Sequence, residues 1–550
     1  MSEDEKRKRT AIIYADLERS ALDTPSRIAM SLAGQNVLSR TISRLKQVQA
    51  LDEIVVFCPA DQQEKIRGLL DTNSVLVQGF NEPVPVSNRV KRRKWALSSW
   101  RGGIREATVF DEQSFTSEMV QFLRDRDNYT VLAVPAEAVL LAPELVEGLL
   151  EHHRKHGDEM RFTFCQAAPG LCGGAYRMDL LHELVLNKTY IGDLLNYSPE
   201  NTQADLIVQE CNYKVDPELY TSEFRYIADT ERNFAGLQKL LEQMGDNPGT
   251  WDAKAIVALQ QKQAQEVDIL PREVEIEITT TPSLRIKGYP HRNDQERAQW
   301  SAGRKQMDLE IFKKIVEDLG QYDDICLTIG GVGEPLAHPE LPKMIQAAKE
   351  AGIFGINIET DGRLLKGQVA QSLSESPVDV LSVYVDAHSR GLYRGIKGED
   401  AFEEVVGQLA EYSETIKSNG PMIIPHLVKS RETMSEMEEF YDGWISKCGS
   451  AVIVGYNDYA GQIENYSVMN MCPPHRRPCR RVSRIMSILA DGSVTICGQD
   501  FQGKSIVGNV GEKSMTDLWR ANEMEELRKA HQQENFEINE LCASCGEWHR

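Results

Sequence analysis

Glu277-Ile278-Thr279-Thr280-Thr281-Pro282-Ser283-Leu284-Arg285-Ile286-Lys287-Gly288-Tyr289-Pro290 is the stretch on which the fold turns. It begins as the end of an apolar, β-branched strand candidate, Val274–Thr279, and runs into a loop punctuated by Pro and Gly. Further strand candidates follow at Ile325–Gly330, Gly355–Thr360, Val380–Asp386, Met422–Val428 and Ala451–Tyr456. Helical patterns lie between them, at Asp308–Leu319, Glu340–Ala351, Phe402–Tyr412 and Thr433–Ser446. This alternation predicts an α/β fold, a parallel and partly closed (β/α)6 barrel over residues 272–465. In complete barrels the active site forms at the C-terminal strand ends. The quoted loop is one such end.

Working outward, residues 1–245 alternate strands and helices in the same way. Ile12-Ile13, Glu53–Phe57 and Tyr129–Val134 read as strands, and Val37–Val48 as a helix with Leu38, Ile42 and Leu45 on one face. A polar helical run over 246–271 reads as a linker. Residues 466–550 break the pattern, with short strands, turns, a helix at Thr516–His531, and cysteines.

The 550 residues suffice for three or four domains of roughly 100–200 residues each. At 41% hydrophobic and 26% charged, the composition is that of an ordinary globular protein. A net charge of −21 argues against general nucleic-acid binding, which needs Lys and Arg against phosphate. The basic run Lys91-Arg92-Arg93-Lys94 is a candidate phosphate patch. No apolar run approaches the roughly 20 residues of a membrane span. The charged start, Met1 to Arg9, lacks the apolar centre of a signal peptide, so a cytoplasmic location is expected.

Eleven cysteines in such a chain read as metal ligands and buried thiols rather than disulfides. Cys58, Cys165, Cys211 and Cys326 sit singly in apolar segments and read as core; Cys172 and Cys448 receive the same reading. The tail differs. Ile485-Met486-Ser487-Ile488-Leu489-Ala490-Asp491-Gly492-Ser493-Val494-Thr495-Ile496-Cys497 predicts a β-hairpin turning at Asp491-Gly492 and returning Cys497 towards Cys479. Cys542-Ala543-Ser544-Cys545 adds a CxxC knuckle. Four such thiolates suit an iron–sulfur cluster or zinc, although Cys₄ zinc sites usually pair two knuckles. Cys472 reads as a structural thiol or a spare ligand.

Cys479-x12-Gly492-x4-Cys497, Gly508-Asn509-Val510, Leu518-Trp519 and Cys542-x2-Cys545 resemble the SPASM domain, the auxiliary-cluster module of many radical S-adenosylmethionine (AdoMet) enzymes. The resemblance implies one [4Fe-4S] cluster on Cys479, Cys497, Cys542 and Cys545, with zinc as the alternative. The central segment resembles the radical AdoMet barrel. Gly333, Glu334 and Pro335 stand as the motif that contacts the AdoMet amino group, Thr360-Asp361-Gly362 where the family usually has Thr-Asn-Gly, and Ser382–Ala387, with Asp386, as the fourth-strand pattern. Pro282, Ile286 and Tyr289 replace the CxxxCxxC cysteines, which argues against AdoMet binding and radical catalysis.

Residues 10–240 resemble the sugar cytidylyltransferases, with a nucleotidyltransferase-like (GT-A/Rossmann-like) sheet. That likeness implies Arg27 at the nucleotide and Glu137 at Mg²⁺, and Trp95, Trp100, Arg101, Gly102 and Gly103 as a pocket wall. The whole chain resembles the spiro-SPASM proteins, a spirochaete family. The expectation is a cluster-binding protein that takes a sugar nucleotide, a peptide or a partner and performs no radical chemistry. The alternative is a sugar nucleotidyltransferase with a regulatory iron–sulfur domain.

Overall fold

The computed structural model describes every residue except 1–7, 71–73, 83, 85–89, 103–106, 157–158, 201–207, 246–250, 264–267, 293, 417–419, 470–471 and 550. The chain divides into two compact units, Met1–Glu266 and Val267–Arg550. Among the described residues, no helix is long and apolar enough to cross a membrane.

The first unit is built on a seven-stranded sheet of β1 (Lys8–Tyr14), β2 (Glu53–Pro59), β3 (Leu76–Phe80), β4 (Asn128–Pro135), β5 (Phe162–Cys165), β6 (Gly174–Arg177) and β7 (Asn212–Tyr213). Its order is β7-β5-β6-β4-β1-β2-β3. The central strand β1 pairs in parallel with β2 and β4, and β6 runs antiparallel to β4. Successive side chains of a strand face opposite ways. Accordingly Ala11 and Ile13 enter one core and Ile12 another, each covered by helices. Helix α1 (Val37–Leu45) starts where Asn36 accepts the Ser39 N–H, and buries Leu38, Ile42 and Leu45. Helix α2 (Ala253–Gln263) falls inside the expected linker, yet Ala253, Ile256 and Val257 lie in the core of this unit. Their i, i+3, i+4 spacing presents one apolar face.

The second unit holds a nine-stranded sheet of β8 (Glu273–Glu277), β9 (Cys326–Gly330), β10 (Gly355–Thr360), β11 (Val380–Tyr384), β12 (Met422–Lys429), β13 (Val452–Gly455), β14 (Ile485–Ile488), β15 (Ser493–Thr495) and β16 (Ile506–Asn509). Strands β8 to β13 pair in parallel with their sequence neighbours, giving the six βα units expected. The tail then returns to the front. β14 pairs in parallel with β8, with Val274 opposite Met486, and the β14–β15–β16 meander continues the sheet. The boundary placed at 465/466 is therefore not a break in the sheet. One core runs from Leu270 through Trp519 to Cys542. An uncovered β8 edge would leave a row of unpaired backbone groups, and β14 supplies the partner. The helix expected over Thr516–His531 is two, Met515–Trp519 and Asn522–Gln532.

Candidate functional site

Side chains from β8 (Glu275) to β13 (Val454) line a single cavity of about 410 Å³, so the parallel sheet curves around it. Pro282, Ile286 and Tyr289 all face this cavity. The Tyr289 hydroxyl donates to Gly331 O at 3.3 Å, and its ring meets His291 and Tyr459 edge-on at centroid distances of 4.9 and 6.2 Å. Burial pushes its phenol well above the ordinary range. Neither Pro282 nor Ile286 offers a donor atom for iron, so the mouth does not fit a cluster held by three thiolates.

The other expected pocket residues form a mutually satisfied network. A Cβ on Gly333 would stand 2.1 Å from Thr279 O, so only glycine lets this loop close over the end of β8. Glu334 accepts from Thr360 Oγ1 at 2.7 Å, from Asp361 N at 2.9 Å and from Leu336 N at 3.0 Å. Burial, then the neighbouring Asp361, push its carboxyl up to about 8. Pro335 starts the short turn that follows. Asp386 stands apart from this group. It holds a left-handed φ of 60° and accepts from Lys397 Nζ at 2.6 Å and Val428 N at 2.8 Å.

Sequence reasoning passed over the acids of the barrel wall, although Glu273, Glu275 and Glu277 alternate with Val274 and Ile276 at strand period. Glu275 pairs with Arg481 at 2.6 Å, and Glu277 with Arg304 at 3.2 Å. Burial pushes Glu277 up to about 7, opposed by Arg304. Glu359 on β10 accepts from the Tyr384 hydroxyl at 3.3 Å.

The cysteine tail is built around the hairpin. Leu489 N donates to Ser493 O and Gly492 N to Leu489 O, closing the turn at the expected Asp491-Gly492, with Gly492 at φ 81°. Asn539 caps the short helix Glu540–Ser544 that carries Cys542, and the helix stops at Cys545. Cys479, Cys497, Cys542 and Cys545 are electrostatic neighbours of one another. Burial, then the adjacent sulfurs, push Cys542 up to about 12; burial pushes Cys545 up to about 11. A bound metal reverses that repulsion, because a coordinating thiol gives up its proton.

Among the described residues, no three of these sulfurs lie within 4.8 Å of one another. A zinc ion with four Zn–S bonds of about 2.3 Å would bring its sulfurs to about 3.8 Å. A cubane, with an iron at each ligated corner, holds its thiolates further apart. Four thiolates suit either soft centre, an iron–sulfur cluster or zinc. Glu547 N donates to Cys545 Sγ at 3.3 Å, and Cys472 Sγ lies 2.8 Å from Gly546 O beside the knuckle.

Residues 479–546 match the iron–sulfur cluster-binding SPASM domain, and residues 291–442 match the radical SAM superfamily. The chain carries both domains. It is 23% identical over 248 residues to an uncharacterized protein of Treponema pallidum (strain Nichols), covering 42% of this chain and 67% of that one. It is 24% identical over 267 residues to the tungsten-containing aldehyde ferredoxin oxidoreductase cofactor-modifying protein of Pyrococcus furiosus, covering 40% and 74%. Among solved structures it resembles a cytidylyltransferase from Leptospira borgpetersenii serovar Hardjo-bovis, with a TM-score of 0.32 at 14% identity, over 47% of this chain and 95% of that one.

In the first unit Glu137, Asp229 and Arg225 face a small cavity of about 90 Å³. Arg27 Nη1 donates to Pro25 O at 2.9 Å and to Asp229 O at 3.1 Å. Burial, then Asp229, push Glu137 up to about 8. The Asp229 carboxylate is held by Arg225 Nε at 2.9 Å, and Arg225 also reaches Glu112 at 2.7 Å. Mg²⁺ prefers ionised carboxylates in near-octahedral array. A cation there would have to displace the Glu137 proton and compete with Arg225 for Asp229. The basic run also serves the core, since Arg92 and Arg93 are fully buried against Asp111 and Glu112. Trp100 is buried and stacked on Phe164 at 5.3 Å, while Gly103 lies outside the described residues. Cys165 and Cys172, read separately in the sequence, are electrostatic neighbours in one core.

Proposed function

We propose that this chain is an iron–sulfur protein whose radical AdoMet-type barrel has become a ligand-binding domain. Cys479, Cys497, Cys542 and Cys545 hold one [4Fe-4S] cluster, which when bound supplies a structural cross-link or an electron-transfer centre. The barrel binds a small molecule, a peptide or a partner group and does not cleave AdoMet. The single observation that carries this reading is the contrast between two ends of one unit. Four thiols, Cys542 buried and the others half-buried, neighbour one another at the tail, while Pro282, Ile286 and Tyr289 line the cavity where the barrel family has its iron ligands. The polar groups expected around AdoMet support it as well, because Glu334 and Asp386 are each engaged by neighbours of the same chain.

The chemistry left to the chain's own residues is recognition. Glu334 keeps the loop after β9 against Thr360, and Lys397 holds Asp386 in its left-handed conformation. These contacts shape the cavity. The engagement of Arg27 and of Asp229 by neighbours in the same chain disfavours nucleotidyl transfer in the first unit.

The test is reduction of the anaerobically reconstituted chain by dithionite with AdoMet present, followed by chromatography for 5′-deoxyadenosine. The reading expects a reducible cluster and no 5′-deoxyadenosine. Turnover of AdoMet would overturn it.

A further inference from the structure

The barrel cavity is more acidic than its own cations balance. Glu275 is matched by Arg481 at 2.6 Å, Glu277 by Arg304 at 3.2 Å and Asp386 by Lys397 at 2.6 Å. Lys287 at the rim is spent on Glu432 at 2.5 Å. Glu359 makes no ion pair among the described residues, and its partner is the neutral Tyr384 hydroxyl. Burial, then Glu275, push its carboxyl up to about 7, against the opposing pull of the Tyr384 hydroxyl and of Arg481.

The position is specific. Glu275 is the middle residue of β8 and Glu359 the last but one of β10, whereas Glu334 and Asp361 sit in loops beyond the strand ends. Tyr289, Tyr384, Tyr459 and Phe501 line the same space, with Tyr459 and Phe501 rings 5.1 Å apart. Aromatic faces beside carboxylates attract cations. The same surroundings repel a phosphate or a carboxylate.

We infer that this cavity receives a primary alkylammonium group, seated against Glu275 and Glu359 and walled by Tyr289, Tyr384 and Tyr459. A volume of about 410 Å³ holds a small molecule or one side chain. The ammonium therefore belongs to a free amine or to a lysine of a peptide. This inference rests on the reading above, that the barrel binds a ligand rather than splitting AdoMet.

Calorimetric titration of the cluster-loaded full chain tests it, with pentylamine, 1-pentanol, glutarate and the tripeptide Gly-Lys-Gly as probes. Pentylamine or the tripeptide binds at one site per chain, at least tenfold more tightly than 1-pentanol or glutarate. Preference between the two amines tells the free ligand from the peptide. Glu359→Gln, folded as judged by its melting temperature, weakens the amine at least tenfold. The comparison of pentylamine with 1-pentanol needs no variant and decides even where Glu359→Gln fails to fold. Glutarate or 1-pentanol binding as tightly as the amines, absence of amine binding, or indifference to Glu359→Gln would overturn the inference. Failure of amine binding in a chain that holds its cluster and forms no 5′-deoxyadenosine sinks this inference alone.

Discussion

Arg481 Nη2 lies 2.6 Å from Glu275 Oε1, and the same guanidinium is an electrostatic neighbour of Cys497. One side chain therefore joins the first barrel strand to the cysteine tail, two residues past Cys479. The pair is part-exposed to the cavity, with side chains 20% and 36% accessible, so solvent screens it. Arg481→Gln is expected to cost about 1–2 kcal/mol in urea denaturation. Adding Glu275→Gln recovers most of that loss, because the unmatched carboxylate is the chief penalty. Additive losses in the double variant would refute the coupling.

Lys397 and Asp386 make a different kind of pair. Lys397 is fully buried, and its ammonium reaches Asp386 Oδ2 at 2.6 Å and Tyr384 O at 2.7 Å. Removing one partner strands a buried charge, so Lys397→Met should destabilise the second unit by about 3–5 kcal/mol. Asp386→Asn in the same chain should rescue a large part, since Asn tolerates the left-handed backbone that Asp386 adopts. Equilibrium denaturation of the single and double variants measures both.

Glu137 predicts a pH dependence whose sign is fixed. Unfolded, its carboxyl titrates near 4.5; folded, burial and Asp229 raise it to about 8. Between these values the folded chain holds the extra proton, so this contribution is complete below pH 4.5 and fades as pH rises through 8. Glu137→Gln keeps the neutral shape and removes the titration. At pH 9 the variant should be more stable than the parent by about 2–4 kcal/mol. Thermal melting across pH 5–9 reads the difference, and equal slopes for both chains would contradict it.

The sequence carried the local signals. Apolar runs bounded by turns marked β8 to β13 to within a residue or two, and Asp491-Gly492 marked the tail hairpin. What it hid was long-range. β14 joins β8 across more than two hundred residues, and no local pattern says that a tail hairpin will extend a barrel sheet. Glu112 lies more than a hundred residues before Arg225 and Asp229, yet all three meet in one buried network, which is why Asp229 went unnoticed beside Arg27 and Glu137. Cys165 and Cys172 looked like two separate core thiols because the meeting of their side chains leaves no trace in spacing. Period-two alternation of Glu273, Glu275 and Glu277 did announce an acidic strand face. Its meaning depended on the sheet curving.

The central claim is that thiolate ligands persist at the tail and are gone from the barrel mouth. Iron and sulfide counted against chain concentration, after anaerobic reconstitution and with a Mössbauer spectrum to identify the centre, test it most directly. The account predicts about four irons per chain as one [4Fe-4S] cluster, lost in Cys542→Ala and retained in Tyr289→Phe. Zinc in place of iron, or about eight irons with half of them dependent on Tyr289, would contradict it.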